Sequence, residues 1–155
     1  MNKPKPINRG DLISILAPAK SIDKRIVDYA KDFLVQRGFQ VKVSAHCIGR
    51  HHYYSGTDQE RISDFQAAID DSEVMAILCA RGGYGSVRVF DRLDWTKFRE
   101  QPKWIIGFSD ITVFHHILQS MDIQSIHGTM PLNFESNSKE ALQTMLMAAG
   151  GESFK

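Results

Sequence analysis

A lone serine just past a buried apolar run is the residue of this sequence best suited to covalent chemistry. The stretch is "KWIIGFSDIT", residues 103–112, where an apolar run meets Gly107 and Ser109 follows two positions on. In the G-x-S-x-G elbow a serine stands in a strained strand-to-helix turn with Oγ exposed. Here the first glycine is present and Ile111 replaces the second. The backbone N–H of Asp110, at the start of the next helix, would face a developing oxyanion. Two interpretations stay open: Ser109 is a nucleophile, or it only caps that helix.

A glycine-rich turn, "ARGGYGS" at residues 80–86, is the second candidate for chemistry. Three glycines in four positions allow the backbone to approach a ligand and expose N–H groups. The functional interpretations are an oxyanion donor near Gly83 or a phosphate cradle, and the alternative is a tight turn that only glycine tolerates. The dinucleotide fingerprint is incomplete, because Arg88 occupies the third glycine position and an acid about 20 residues further on is missing.

Side chains beside these turns are candidates for substrate binding. Arg81 precedes the glycines and could pair with an anionic substrate, although an arginine there also fits a structural ion pair. Gly82 and Tyr84 belong to the same turn, and His127 ends a neighbouring apolar segment that would reach the same crevice.

The sequence offers no convincing general base for Ser109. A serine nucleophile needs a base within ~2.6–3.2 Å. His115 and His116 follow on the helix that Ser109 opens, about 9–10 Å up its axis at a rise of ~1.5 Å per residue, which is too far. His127 is the one local candidate. The paired histidines at positions 51 and 52 lie in an irregular loop, and no Cys or Glu completes a metal-ligand set with them.

The elements that must position these residues alternate between strand and helix. Apolar runs predict strands at 12–18, 39–44, 74–79, 103–106 and 124–128, and helical periodicity predicts helices at 21–36, 59–71, 86–93, 110–121 and 138–149. This alternation indicates an open, mainly parallel sheet with helices on both faces. The expected fold is a three-layer sandwich of the flavodoxin-like or class I glutamine amidotransferase-like kind. Ligands bind such sheets at the carboxyl ends of the strands, so the turns at 80–85 and 107–110 and the segment 126–130 should meet there.

Length and composition exclude several classes of protein. The chain has 155 residues, of which 43% are hydrophobic and 24% charged, with a net charge of +1. That profile is typical of one globular domain and shows no basic footprint for nucleic acid or a membrane surface. The longest apolar run falls short of the ~20 residues of a membrane helix, and two cysteines make no disulfide framework. A cytoplasmic protein is expected, with an α/β domain over 1–149 and the start of a linker at 150–155.

The turns, taken together and in order, resemble the LD-carboxypeptidase family of serine peptidases, of the muramoyltetrapeptide carboxypeptidase and microcin C immunity peptidase type. The resemblance rests on the Gly10–Asp11 pair and on "APA" (17–19), "YYSGTDQERISDF" (53–65), "AILCARGGYGSVRVFDRLDW" (76–95), "IIGFSDITVFH" (105–115) and "IHGTMP" (126–131). The last motif departs from the family, in which "HGPM" is expected.

The resemblance implies a site and an activity. Ser109 matches the nucleophile, and the backbone N–H groups of Asp110 and Gly83 match the oxyanion hole. In the family a C-terminal domain, for which this chain has no counterpart, supplies a glutamate and a histidine that complete the triad. The implied reaction removes a terminal D-amino acid from an L,D-peptide bond, as in murein tetrapeptides. The resemblance further implies that the reaction needs no metal or other cofactor, and that the enzyme is cytoplasmic and commonly dimeric.

Two other functions compete with this interpretation. One is a non-catalytic, flavodoxin-like module that binds a ligand at the same edge. The other is an esterase or amidase that uses Ser109 on a different substrate. Because the base is expected outside these residues, the isolated chain should have little or no activity.

Overall fold

The computed structural model describes residues 1–152, and at their centre five parallel strands form one sheet. The strands are β1 (Leu12–Leu16), β2 (Gln40–Val43), β3 (Val74–Cys79), β4 (Trp104–Gly107) and β5 (Ile126–His127), in the spatial order β2-β1-β3-β4-β5. The chain first builds outward from β1 to β2 and then outward on the other side from β3 to β5. The direction therefore reverses between β1 and β3, and ligands bind such sheets in the crevice at this reversal.

Within residues 1–152, six α-helices cover the two faces of this sheet: α1 (Lys24–Gln36), α2 (Asp58–Asp70), α3 (Thr96–Glu100), α4 (Thr112–Ser120), α5 (Pro131–Phe134) and α6 (Lys139–Ala149). On one face Leu34, Phe134 and Leu142 pack against the sheet. On the other face Phe65 and Phe114 stack at a ring-centroid distance of 4.4 Å within a second core. The predicted three-layer α/β fold is confirmed.

The central strand β3 explains why the sheet is parallel and buried. Its sequence, VMAILC, is apolar on both faces and pairs with β1 on one side and β4 on the other. A strand between two layers of helices needs apolar residues at every position rather than alternation. Leu16 and Cys79 are register partners, so the loops after β1 and β3 leave the sheet side by side.

The start of α2 is defined by a capping box. The Thr57 side chain accepts from the backbone N–H of Glu60, and the Glu60 carboxylate accepts from the backbone N–H of Thr57 at 2.8 Å. These two bonds satisfy backbone donors that the first turn would otherwise leave free. They fix where α2 emerges from the irregular loop before it, and therefore where its next turn lies.

The prediction of a helix over 86–93 is wrong. The structure has two 3-10 turns there, Ser86–Arg88 and Phe90–Arg92. β-branched Val87 and Val89 lower the local helix propensity. The backbone N–H of Ser86 is also bonded to a carboxylate from another element, which fixes the segment at its first residue.

Other boundaries differ by a few residues for local reasons. Helix α1 starts at Lys24 rather than 21 because Asp23 accepts from Arg25 N–H as its N-cap. The strand predicted at 124–128 shortens to Ile126–His127, and α3 and α5 were too short for periodicity to reveal. Helix α6 ends at Ala149, and of the linker predicted at 150–155, positions 153–155 lie outside the described residues. Within residues 1–152, no helix is both long and apolar enough to cross a membrane.

Candidate active site

Ser109 stands exposed in a strained turn at the carboxyl end of β4. Its φ is 62°, in the left-handed region that a non-glycine residue seldom adopts. Such strain persists where the surrounding structure imposes it, and it is common at active sites. Within the described residues no capping bond comes from its side chain, because the 3-10 turn Ser109–Ile111 and helix α4 both begin without a side-chain cap. The structure therefore contradicts the interpretation of Ser109 as a helix cap.

Gly107 and Ile111 together shape this elbow. A Cβ placed on Gly107 would lie 2.8 Å from Cγ2 of Ile111 and 3.0 Å from its Cγ1. The Ile111 side chain is fully buried in the core shared by α2 and α4. The isoleucine that replaces the second glycine of the motif thus closes the turn from inside, and only glycine at position 107 leaves it room.

The glycine turn lies directly against the elbow. A Cβ on Gly82 would be 3.3 Å from both the backbone nitrogen and Cβ of Asp110. The Asp110 carboxylate accepts the backbone N–H of Ser86 at 2.9 Å, which joins the elbow to the far end of the turn. Gly83 is exposed with a φ of 99°, a conformation that favours glycine. The two backbone segments expected to form an oxyanion hole are therefore neighbours.

The loop after β1 supports the glycine turn from the other side. The backbone N–H of Lys20 donates to the carbonyl of Gly82 at 3.3 Å. A Cβ on Gly83 would meet Lys20 Cβ at 2.9 Å, and one on Gly85 would meet Ala19 Cα at 3.1 Å. The turn is confined on both sides, so its glycines are required by close packing as well as by φ.

The candidate substrate-binding side chains take different positions around the turn. Arg81 donates from Nη1 to the carbonyl of Ser21 at 2.9 Å, and its buried Nε has no partner among residues 1–152. Tyr84 projects from the turn with 55% of its surface exposed, whereas Gly82 is buried. Arg81 is thus partly committed to the backbone, and Tyr84 is free to contact a ligand.

His127 reaches the same edge of the sheet as Ser109 but is not bonded to it. It is the register partner of Gly107, is exposed, and its ring centroid lies 6.2 Å from that of Phe108. For the part of the chain that is described, no hydrogen bond joins it to Ser109. The adjoining segment is tied to the elbow, since Gly128 N–H donates to the Gly107 carbonyl at 3.2 Å. Thr129, in the same segment, donates to the Asn137 side chain.

His115 is a structural histidine at the elbow. Nε2 lies 2.8 Å from the Gly107 carbonyl, and Nδ1 lies 2.8 Å from Ser125 Oγ. A carbonyl can only accept, so in the neutral ring Nε2 carries the proton and Nδ1 accepts from the serine. Burial lowers the pKa of His115, and the neighbouring His127 adds to this, so the neutral ring is the form at pH 7. Its free lone pair is already used, as expected for a residue that is not the base.

Cys79 is fully buried at the end of β3. Burial raises the pKa of its thiol far above the usual value, and that of Cys47 to about 12. A thiol without access to its thiolate form is a poor nucleophile. Both cysteines are small core residues.

Sequence reasoning missed Arg61, a buried arginine on α2 that contacts the glycine turn. Its side chain is 1% exposed, and Nη1 donates to the carbonyls of Pro18 at 2.7 Å and Gly85 at 3.2 Å. Nη2 pairs with Asp58 one turn earlier on the helix. The sequence does carry one sign of this role. Arg61 stands next to apolar Ile62 on the inner face of α2, and it follows Asp58 by three residues.

An open parallel sheet that presents an exposed, positive-φ serine against a glycine turn defines an α/β protein with a serine-bearing strand-to-helix elbow. The family model described as the LD-carboxypeptidase N-terminal domain matches residues 13–128, and the chain belongs to this family. It is 39% identical over 129 residues to a probable murein peptide carboxypeptidase of Bacillus subtilis (strain 168), covering 83% of this chain.

Solved structures agree with the fold. A structure of MccF in complex with glutamyl sulfamoyl guanosine superimposes with a TM-score of 0.87 over 98% of this chain at 19% identity. A muramoyltetrapeptide carboxypeptidase from Oxalobacter formigenes gives a TM-score of 0.80 over 88% of the chain at 26% identity. This chain spans 40% of the length of the Bacillus relative and 47% of each of these two structures.

Proposed function

We propose that this chain is the nucleophile-bearing, N-terminal part of a serine-type LD-carboxypeptidase. The enzyme would remove a terminal D-amino acid from an L,D-peptide bond of the murein tetrapeptide class. The observation that carries this proposal is the exposed Ser109, strained at φ 62° and adjoining the glycine turn, in a member of the LD-carboxypeptidase family.

In the proposed reaction Ser109 Oγ attacks the carbonyl carbon of the L-residue while a base takes its proton. The oxyanion of the tetrahedral intermediate accepts hydrogen bonds from the backbone N–H groups of Asp110 and Gly83, which are preorganised for that charge. The C–N bond then breaks, and the leaving amine receives the proton from the protonated base. Water hydrolyses the resulting ester on Ser109 and releases the shortened peptide.

The base is expected from a C-terminal domain beyond residue 155. In the described residues the nearby histidines are unsuited, because His115 uses both ring nitrogens and His127 makes no bond to Ser109. A histidine and a glutamate from that second domain would complete the triad. We further propose that the full-length enzyme is a cytoplasmic homodimer that requires no metal or other cofactor.

The terminal carboxylate of a carboxypeptidase substrate needs a cation close to the oxyanion hole. Arg81 would supply one directly before the glycines, through the part of its guanidinium that is not bonded to the Ser21 carbonyl. The Gly82 backbone, the exposed Tyr84 ring and His127 complete the proposed contacts on this chain.

The test is release of the terminal D-amino acid from a murein tetrapeptide by the full-length protein. Ser109→Ala should abolish release, whereas Ser136→Ala, a hydroxyl deletion on an exposed surface, should leave it unchanged. A tetrapeptide that ends in the L-epimer should be inert. Hydrolysis of simple esters without release from the L,D-peptide would instead support an esterase. If a fluorophosphonate fails to label Ser109, and the Ser109→Ala variant behaves like the wild type, the result would support the non-catalytic ligand-binding module.

A further inference from the structure

Arg61 is a buried cation that joins three backbone segments around the glycine turn. It lies on α2, outside the elbow, and its Nη1 bridges the Pro18 carbonyl of the loop after β1 and the Gly85 carbonyl of the turn. Its guanidinium carbon lies 4.6 Å from the centroid of the Tyr54 ring. A planar group with several fixed donors can make these contacts at the same time.

The charge of Arg61 is balanced by Asp58, which also holds Arg88, two residues after the turn. A buried cation is costly unless it is paired and hydrogen bonded. Asp58 pairs with Arg61 and also accepts from Arg88, at 2.9 Å from Nε and 2.6 Å from Nη2. The bonds from Arg88 lower the pKa of Asp58, and the charge of Arg61 acts in the same direction, so the carboxylate is ionised at neutral pH. We call this pair, in which Arg61 is buried and Asp58 is partly exposed, the buried clamp.

The glycine turn depends on such outside contacts for its shape. Gly83 and Gly85 both have positive φ, and glycine has more backbone freedom to lose than any other residue. The turn is held at Gly82 by Lys20 N–H, at Gly85 by the buried clamp, and at Ser86 by Asp110. The clamp holds the turn two residues after Gly83, and through the Pro18 carbonyl it also holds the loop that carries Lys20.

We infer that Arg61, held by Asp58, is a positioning residue for the oxyanion hole. It fixes the Gly85 carbonyl on one side of Gly83 and, through Pro18, the loop whose Lys20 N–H holds the Gly82 carbonyl in the same peptide plane as the Gly83 N–H. This inference rests on the proposed function, because it assigns Gly83 the role of oxyanion donor. It predicts a cost in the transition state that exceeds any cost in substrate binding, since the oxyanion exists only after attack.

The first experiment is Arg61→Lys in the full-length protein, assayed on the L,D-tetrapeptide. Lysine keeps the charge that balances Asp58 but cannot span two carbonyls and a carboxylate with one ammonium. Removal of an oxyanion donor costs about 10²–10³ in kcat, so its displacement should lower kcat about 10–100-fold and change KM less than about threefold. Arg92→Lys is the matched control. Arg92 is exposed, and it donates to Gln59, which lies on α2 like Arg61. It should keep wild-type kcat.

The second measurement separates positioning from general loss of structure. The probe is a peptide boronic acid in which boron replaces the carbonyl carbon of the L-residue. Boron bonds to Ser109 Oγ, the hydroxyl proton passes to the base, and the tetrahedral adduct places an oxygen in the oxyanion hole. In Arg61→Lys, the affinity for the boronic acid should fall by about the same factor as kcat. Binding of intact tetrapeptide, measured in a Ser109→Ala background, should change less than about threefold.

Each outcome decides the inference. Wild-type kcat in a folded Arg61→Lys would overturn it, as would equal losses in boronate and tetrapeptide affinity. If Arg61→Lys does not fold, Arg88→Gln replaces it, since that side chain is exposed and only releases one side of Asp58. A kcat lowered about two- to fivefold at constant KM would then support the inference, and an unchanged kcat would overturn it. Loss of activity in Ser109→Ala in the same assay shows that the proposed function itself still holds.

Discussion

The carboxylate of Asp110 accepts the backbone N–H of Ser86 at 2.9 Å, across 24 residues of sequence. The residue after the proposed nucleophile therefore has two tasks. Its backbone N–H belongs to the elbow, and its side chain fixes the end of the glycine turn. A turn rich in glycine is thus aligned with the serine by a neighbour of that serine.

Replacement of Asp110 by alanine should separate these tasks. The backbone N–H stays, but Ser86 loses its acceptor, so the glycine turn relaxes away from the elbow. A hydrogen bond to a charged group contributes about 1.5–3 kcal/mol, and the variant should lose stability on that order. Urea denaturation of the full-length protein measures the loss of stability, and kcat reports the displacement of the glycine turn. Asp110→Asn, which keeps an acceptor oxygen, should fall between wild type and alanine, and an alanine variant equal to wild type would contradict the role.

Glycine at position 109 should stabilise the fold while it abolishes activity. The left-handed conformation costs a non-glycine residue about 1–2 kcal/mol, and glycine adopts it freely. We expect Ser109→Gly to be more stable than Ser109→Ala by about 1 kcal/mol, after the extra entropy of glycine in the unfolded chain. Chemical denaturation of the two inactive variants measures this difference directly. If the two variants unfold at the same denaturant concentration and with the same dependence on denaturant, the elbow is not strained.

The contact between positions 107 and 111 should appear as a coupling in a double-mutant cycle. The new methyl of Gly107→Ala would lie 2.8 Å from Ile111 Cγ2, so the variant should lose about 1–3 kcal/mol through overpacking. Ile111→Ala alone leaves a cavity in the core. The double variant should be more stable than the sum of the two losses implies, because the methyl then fills vacated space. If the losses in unfolding free energy add up, the destabilisation by Gly107→Ala does not come from its contact with Ile111.

Two histidines should titrate on opposite sides of the usual value. A hydrogen bond from His46 to Asp64, 2.8 Å from Nδ1 to Oδ1, raises the pKa of His46, whereas burial lowers that of His115. His46 therefore adds stability that is complete below the unfolded pKa and is lost as pH rises through the folded pKa. His115 behaves in the opposite sense, and its contribution is lost as pH falls from about 6.5 towards its folded pKa.

NMR titration of the imidazole protons in wild type and in Asp64→Asn tests this pair. The asparagine variant should lower the pKa of His46 and leave His115 unchanged, since Asp64 contacts only the former. A His46 that titrates at or below the usual value in wild type would contradict the prediction.

The sequence predicted the sheet and the elbow because their signals are local. The apolar run of β3, the glycines of the turn and the position of Ser109 after β4 are all visible within ten residues. Arg61 was missed because its partners Pro18 and Gly85 are 43 and 24 residues away, and periodicity reports only which face of α2 it occupies. The same kind of distant contact, from Ser86 to Asp110, helps to explain why residues 86–93 do not form the expected helix. No pattern within these residues could supply a base that is expected from another domain.

The order of the strands also sets when the site can mature during synthesis. The glycine turn leaves the ribosome before Asp110, and β4 must join β3 before that carboxylate can reach Ser86. Contacts so distant in sequence form late, because a long loop has to close first. A nascent chain therefore carries an unassembled elbow until β4 and the residues that follow it have emerged.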